Sequence, residues 1–177
     1  MVKVNELEQT TQIRIAGIVR NSIVDGPGIR YTVFGQGCPL KCEDCHNPQT
    51  HDSKGGSLID IAAIADEVKK DPLLDGITFT GGEPFVQPLQ FAALAELLKS
   101  QDKPSSFNII CYTGYSFEEL YQSSDSHILL ERVDILIDGR FDRKRKSFGR
   151  HFKGSENQRT LDSKESVRRG KAIEIHL

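Results

Sequence analysis

Residues 57–100 read "SLIDIAAIADEVKKDPLLDGITFTGGEPFVQPLQFAALAELLKS". Their order of patterns decides the fold class. Over 57–70, Ser57 and Asp60 have the spacing of a capping box, Ile61, Ile64, Ala65 and Val68 fall on one helical face, and Pro72 follows the end. "GITFTGG" (76–82) reads as a short strand that runs into glycines. "PLQFAALAELLKS" (88–100) reads as a second helix, with Pro88 well placed in its first turn. Helix–strand–helix of this kind points to a parallel α/β sheet.

The same alternation continues outward in both directions. "QIRIAGIV" (12–19) alternates polar and apolar residues as a half-buried strand does, and "RYTVF" (30–34) is β-branched and aromatic. "FNIICYTG" (107–114) is apolar enough for a buried strand. "SFEELYQS" (116–123) opens with a second capping box, Ser116 with Glu119. "RVDILIDG" (132–139) and "KAIEIHL" (171–177) read as further strands. Sheets of this class bind ligands at the carboxyl ends of their strands. The cysteine-bearing loop 37–48, "TGGEP", "TGY" and "DGRF" each follow a predicted strand, so they are expected to converge on one sheet edge.

The chain has 177 residues with no repeat, low-complexity tract or Pro-rich linker, which suits a single domain over 1–177. No apolar run approaches the roughly 18 residues of a membrane helix, and the N-terminus "MVKVNELEQTTQ" is polar. The expectation is a cytoplasmic protein with no membrane partner, in which clustered cysteines signal metal or redox chemistry rather than disulfides. The formal charge of −2 argues against nucleic acid as a partner. Charge is uneven, however, and "GRFDRKRKSFGRHFK" (139–153) is strongly basic. The run Arg143, Lys144, Arg145, Lys146 reads as a solvated surface or as a docking face for an acidic partner. Phe141 and Phe148 are too few beside it for a base-stacking platform.

"GCPLKCEDCHNP" (37–48) holds Cys38, Cys42 and Cys45, three of the four cysteines, as C-x3-C-x2-C. Structural zinc takes four closed ligands, usually from paired Cys-x2-Cys units, and only one such unit exists here. His46 or His51 offers a fourth ligand, but His46 adjoins Cys45, which strains a shared tetrahedron. A 4Fe-4S cluster is the other reading: three thiolates ligate three irons and leave one open to an exogenous ligand. Cys111 lies in an apolar strand and reads as a small buried hydrophobe. His51, His127, His151 and His176 read as surface histidines.

C-x3-C-x2-C followed by "GGEP" (81–84) resembles the radical S-adenosylmethionine (SAM) enzymes. That resemblance implies an incomplete (β/α) barrel with a mostly parallel sheet, since the chain is shorter than the roughly 250 residues of a full barrel. It also implies that one 4Fe-4S cluster on Cys38, Cys42 and Cys45 cleaves SAM to a 5′-deoxyadenosyl radical. Gly81, Gly82 and Glu83 are then implied to bind the methionine end of SAM, with Asp44, Cys45 and His46 beside it. Thr113 and Asp138 are further candidates from their places after strands. The family often has an aromatic residue where this chain has Asp44, so the adenine-stacking side chain is not assigned.

"DGPGIR" (25–30) and "CHNP" (45–48) resemble the activating enzymes of glycyl radical enzymes. "YTGY" (112–115), "VDILIDGRF" (133–141) and "GSENQR" (154–159) are similar to the branch that activates anaerobic ribonucleoside-triphosphate reductase. Residues 46–110 contain no cysteine for a second cluster. The motif-bearing core runs from about 13 to 159. The resemblance implies that reductase's glycine loop as substrate and a flavodoxin or ferredoxin-type protein as electron donor. Asn157, Gln158 and Arg159 are candidates for contact with the partner. Alternatives are an activase of pyruvate formate-lyase or another glycyl radical enzyme, a 7-carboxy-7-deazaguanine synthase-like enzyme, and a zinc-stabilised binding module.

Overall fold

The computed structural model describes residues 4–99, 104–147 and 152–177. Phe148, Arg150 and His151 of the basic stretch and Ser100 of the second predicted helix lie outside the described residues.

Seven strands form one open sheet in the order β3-β1-β2-β4-β5-β6-β7. These are β1 (Gln12–Ser22), β2 (Arg30–Gly35), β3 (Ser57–Asp60), β4 (Gly76–Gly81), β5 (Asn108–Tyr112), β6 (Ile135–Asp138) and β7 (Arg159–Asp162). The central four, β2, β4, β5 and β6, pair parallel, and β3, β1 and β7 add antiparallel edges. The sheet does not close, in keeping with the incomplete barrel read from the sequence. Among the described residues six helices accompany it: α1 (Val4–Gln9), α2 (Ile61–Lys70), α3 (Pro88–Lys99), α4 (Phe117–Gln122), α5 (Ser124–Leu130) and α6 (Ser163–Arg169). Among the described residues no helix is long and apolar enough to cross a membrane.

Strand alternation gives the sheet two different faces. Tyr31, Val33, Ile77, Phe79, Ile109, Cys111 and Leu136 pack in the core with α2, α3 and α5. Helix α2 contributes Ile61, Ile64, Ala65 and Val68, the stripe predicted from spacing, each buried. Burying such an aliphatic side chain stabilises by about 1.5–3 kcal/mol. Helix α3 buries six residues, because it lies between its neighbours as well as on the sheet, and Phe91 meets the Phe79 ring at 4.9 Å. The opposite face carries Arg30, Thr32, Thr78 and Ile110, covered by the loop that follows β1. Arg30 is fully buried there. Its guanidinium donates to the Thr78 hydroxyl (2.6 Å) and to the carbonyls of Pro27, Ile77 and Asn108, which pins the loop across three strands. Burial lowers its pKa to about 10.

Two local expectations are corrected. Ser57–Asp60 is not a helix start but edge strand β3, paired with β1 from Gln12↔Asp60 to Ile15↔Ser57. The helix starts at Ile61, and Asp60 caps it by accepting the Ala62 N–H. "KAIEIHL" forms a single bridge, Leu161↔Glu174, beside β7 instead of a strand. Arg159 begins β7. The Ser116–Glu119 capping box forms as read.

Candidate active site

The cysteine loop leaves β2 and is fastened at its base. The Gly37 N–H donates to the Thr50 carbonyl (2.8 Å), the Cys38 N–H to the His51 carbonyl (3.3 Å), and the Gln36 amide to the carbonyls of Gln49 and Asp52. Between these ties, Lys41 and Asp44 adopt left-handed backbone at φ 46° and 54°. Such turns are uncommon outside glycine, and here they fold the loop so that Cys38, Cys42 and Cys45 line one cleft. All three are partly exposed and none is in a disulfide. The Asn47 N–H points at the Cys45 sulfur (3.4 Å). Burial pushes the Cys38 thiol pKa up, while the amides of Leu40 and Lys41 pull the other way. Amide donors to sulfur support thiolates bound to iron–sulfur clusters. Three accessible sulfurs on one wall, those of Cys38 and Cys45 supported by amides, therefore fit a 4Fe-4S cluster with one iron left without a protein ligand.

The glycines of "GGEP" bring β4 against that loop. The Gly82 N–H donates to the Gly35 carbonyl and the Glu83 N–H to the Gly37 carbonyl, both at 2.8 Å. A Cβ on Gly82 would stand 2.5 Å from the Gly37 oxygen, and one on Gly81, whose φ is +94°, 2.6 Å from the Phe34 Cα. Glycine here permits close approach of the chain to itself, which sets where the cysteines hang.

Glu83 is buried at the cleft wall, 1 % exposed. Its carboxylate accepts hydrogen bonds from the Phe85 N–H (3.0 Å), the Thr113 hydroxyl (2.9 Å) and the Gly114 N–H (2.9 Å). Burial raises its pKa to about 7 against the pull of those donors. The cleft encloses about 370 Å³ and is lined by the three cysteines, Gly81, Gly82, Glu83, Thr113, Gly114 and His46. This volume suits a small-molecule ligand. Phe34, Tyr112, Phe141 and Phe152 supply aromatic surface, and the His46 and Phe141 rings meet at 5.2 Å.

Not every expected residue reaches the cleft. Asp44 turns outward, where its carboxylate pairs with Arg143 at 2.9 Å. Asp138 is buried behind the wall and is not among the lining residues. Its oxygens accept from the Phe117 N–H (2.7 Å) and from Arg159 (3.0 and 2.5 Å), so it binds the start of α4 to β7. Arg159 also grips Glu118 with two bonds. Gln158 lines the cleft, but its amide serves the Gly139 carbonyl and the N–H groups of Gly154 and Ser155. Asn157 donates to the Arg140 carbonyl.

Cys111 is fully buried in the core, and burial raises its thiol pKa well above the ordinary value. Two histidines depart from the surface reading: the His51 Nε2 is buried, and His127 bonds to the Tyr121 carbonyl and meets its ring at a tilt, 4.8 Å between centroids. Sequence reasoning missed Asp25 as a lining residue. Its carboxylate accepts from Ser22 (2.6 Å) and Thr32 (3.0 Å) at the cleft's far side. The clasp of Arg140 on the Leu40 carbonyl and of Arg143 on Glu43 and Asp44 was also missed.

A family profile described as "4Fe-4S single cluster domain" matches residues 24–161. The anaerobic ribonucleoside-triphosphate reductase-activating protein of Enterobacteria phage T4 is 31% identical over 148 residues, covering 81% of this chain and 90% of that protein. The protein of that name from Vibrio cholerae is 30% identical over 141 residues, covering 77% and 89%. The pyruvate formate-lyase-activating enzyme of Clostridium pasteurianum is 35% identical over 127 residues, but this chain spans only 53% of its length. In fold, the chain is similar to the crystal structure of QueE from Escherichia coli, with a TM-score of 0.50 and 17% identity over 63% of this chain and 57% of that one.

An open α/β sheet with a three-cysteine loop at the carboxyl ends of its parallel strands defines a radical SAM enzyme, whose cofactors are one 4Fe-4S cluster and SAM. Within that class the chain belongs to the glycyl-radical-enzyme activators, in the family of the anaerobic ribonucleoside-triphosphate reductase-activating proteins.

Proposed function

We propose that this chain activates an anaerobic ribonucleoside-triphosphate reductase by generating a glycyl radical on it. The observation that carries this reading is the extent of the match: 81% of this chain aligns with the phage reductase activator and 77% with the Vibrio one, against 68% with the clostridial lyase activator. The chain also lacks cysteine between residues 46 and 110, where a second cluster would need ligands.

On this reading Cys38, Cys42 and Cys45 hold the cluster, which supplies the electron that cleaves SAM. Gly81 and Gly82 fix the distance between the cysteine loop and β4. Glu83, with Thr113, forms the acidic wall suited to the SAM ammonium, since a carboxylate accepts charge-assisted hydrogen bonds. His46 and Cys45 flank the same ligand, while Asp44 and Asp138 act indirectly, the first through the loop it anchors and the second through α4 and β7. The target's glycine loop enters the cleft past Asp25 and Gln158, with Asn157 holding the Arg140 carbonyl and Arg159 holding Asp138 behind the wall. A glycine suits this entry, because it has no side chain to obstruct the approaching carbon and its α-radical is delocalised over the flanking amides. The electron comes from a flavodoxin or ferredoxin-type protein.

The test is anaerobic electron paramagnetic resonance with two targets offered separately, the reductase and the pyruvate formate-lyase of the same organism. The proposal predicts a glycyl radical doublet on the reductase alone. A doublet on the lyase alone would move the chain to the second reading.

A further inference from the structure

Cys42 is reached from two sides. It lines the SAM cleft, and it also borders a shallow depression on the outside of the cysteine loop, formed with Glu43, Arg140, Phe141, Asp142 and Asn157. Around this outer depression positive charge outweighs negative: five cations stand against Glu43, Asp44 and Asp142. Lys41, Arg140, Arg143, Lys144 and Arg145 are all exposed, in a chain whose formal charge is −2. Arg140 holds the Leu40 carbonyl, and Arg143 faces Glu43 (3.4 Å) and Asp44 (2.9 Å), so the strip is fastened against the loop. Lys144 and Arg145 make no ion pair with another described residue. Their charge is directed to solvent.

Two macromolecular partners must approach one site. The protein that loses a hydrogen atom has to reach into the cleft, because atom abstraction needs contact. A protein that delivers an electron needs only proximity to a cluster ligand, and the outer depression gives that without entering the cleft. We infer that the basic strip Lys41, Arg140, Arg143, Lys144 and Arg145 is the docking surface for a small acidic one-electron carrier protein, placed beside Cys42. This rests on the proposed reading that the three cysteines hold a reducible cluster. In the transfer the carrier is oxidised by one electron and the cluster is reduced by the same electron, with no bond made or broken. Complementary charge on exposed side chains speeds encounter and selects the partner, and it weakens with salt.

The experiment uses the anaerobically reconstituted holoprotein and an FMN-loaded bacterial flavodoxin as the probe, titrated by calorimetry at low ionic strength. The Lys144→Glu/Arg145→Glu double variant should bind flavodoxin about tenfold more weakly or worse, and added salt should weaken the wild type toward the variant. With dithionite as reductant, which needs no docking, variant and wild type should release 5′-deoxyadenosine from SAM at rates within about twofold of one another. Equal flavodoxin affinity for the two proteins would overturn the assignment. So would a variant that keeps flavodoxin binding and loses binding of the anaerobic reductase, because the strip would then belong to the substrate protein. A wild-type holoprotein that cleaves no SAM even with dithionite would bring down the radical SAM reading itself, and the docking surface with it.

Discussion

Thr113 donates its hydroxyl to the Glu83 carboxylate across 2.9 Å, and the same oxygen accepts the Tyr115 N–H at 3.1 Å. One side chain thus ties the carboxyl end of β5 to that of β4 at the wall of the cleft. Because burial raises the Glu83 pKa from 4.5 to about 7, the folded apoprotein binds this proton more tightly than the unfolded chain. The stability it contributes is therefore full below about pH 4.5 and is lost as pH rises toward 7. Thr113→Val removes a donor from the charged form. It should destabilise the apoprotein by about 1–3 kcal/mol, and by more at pH 8 than at pH 5. Urea denaturation at the two pH values checks this, and an equal loss at both would show that Glu83 does not feel the hydroxyl.

Gly82→Ala tests whether "GGEP" sets the cysteine loop. The new Cβ would meet the Gly37 oxygen at 2.5 Å and the Gly35 oxygen at 2.9 Å, both backbone. The loop must shift, so iron bound per chain after anaerobic reconstitution should fall well below wild type. Far-ultraviolet circular dichroism should stay close to wild type. Full iron loading would mean that the loop tolerates displacement.

Arg159→Ala leaves the Asp138 carboxylate, 1 % exposed, with the Phe117 N–H as its remaining described donor. Removing one member of a buried ion pair costs about 3–5 kcal/mol; Arg159 is itself 30% exposed, so the expected loss is about 2–4 kcal/mol. Thermal unfolding measures it. A stability change near zero would free Arg159 for a direct role with the partner protein.

Cys111→Ala separates the fourth cysteine from the other three. Cys111 is fully buried, and its sulfur faces the Tyr112 carbonyl at 3.7 Å. The variant should lose about 1 kcal/mol from the small cavity while keeping the wild-type cluster absorption after reconstitution. Loss of that absorption would place Cys111 among the cluster ligands.

The central βαβ pattern was legible because local signals agreed with packing: the Ile61–Val68 stripe faces the sheet, and Pro88 starts α3. The start of α2 was misread because Ser57 and Asp60 satisfy a capping pattern locally, yet β1 offers an edge that captures these four residues as a strand. Tertiary pairing of this kind overrides local propensity. Strand β7 is only four residues long, too short to show a period, and it exists through its pairing with β6. The cysteine motif was plain in sequence. The clasp of Arg143 on Glu43 was not, since it joins residues 100 apart in the chain. Asp138 kept its place at a strand end but turned its carboxylate to Arg159, which no spacing rule could indicate.

The most direct test of the account is the amount of 5′-deoxyadenosine formed when anaerobically reconstituted, dithionite-reduced protein is mixed with SAM, for wild type and for Cys42→Ala. The account predicts 5′-deoxyadenosine from the wild type and none above background from the variant. Cleavage that survives the loss of Cys42, or wild-type protein that binds iron and leaves SAM intact, would contradict it.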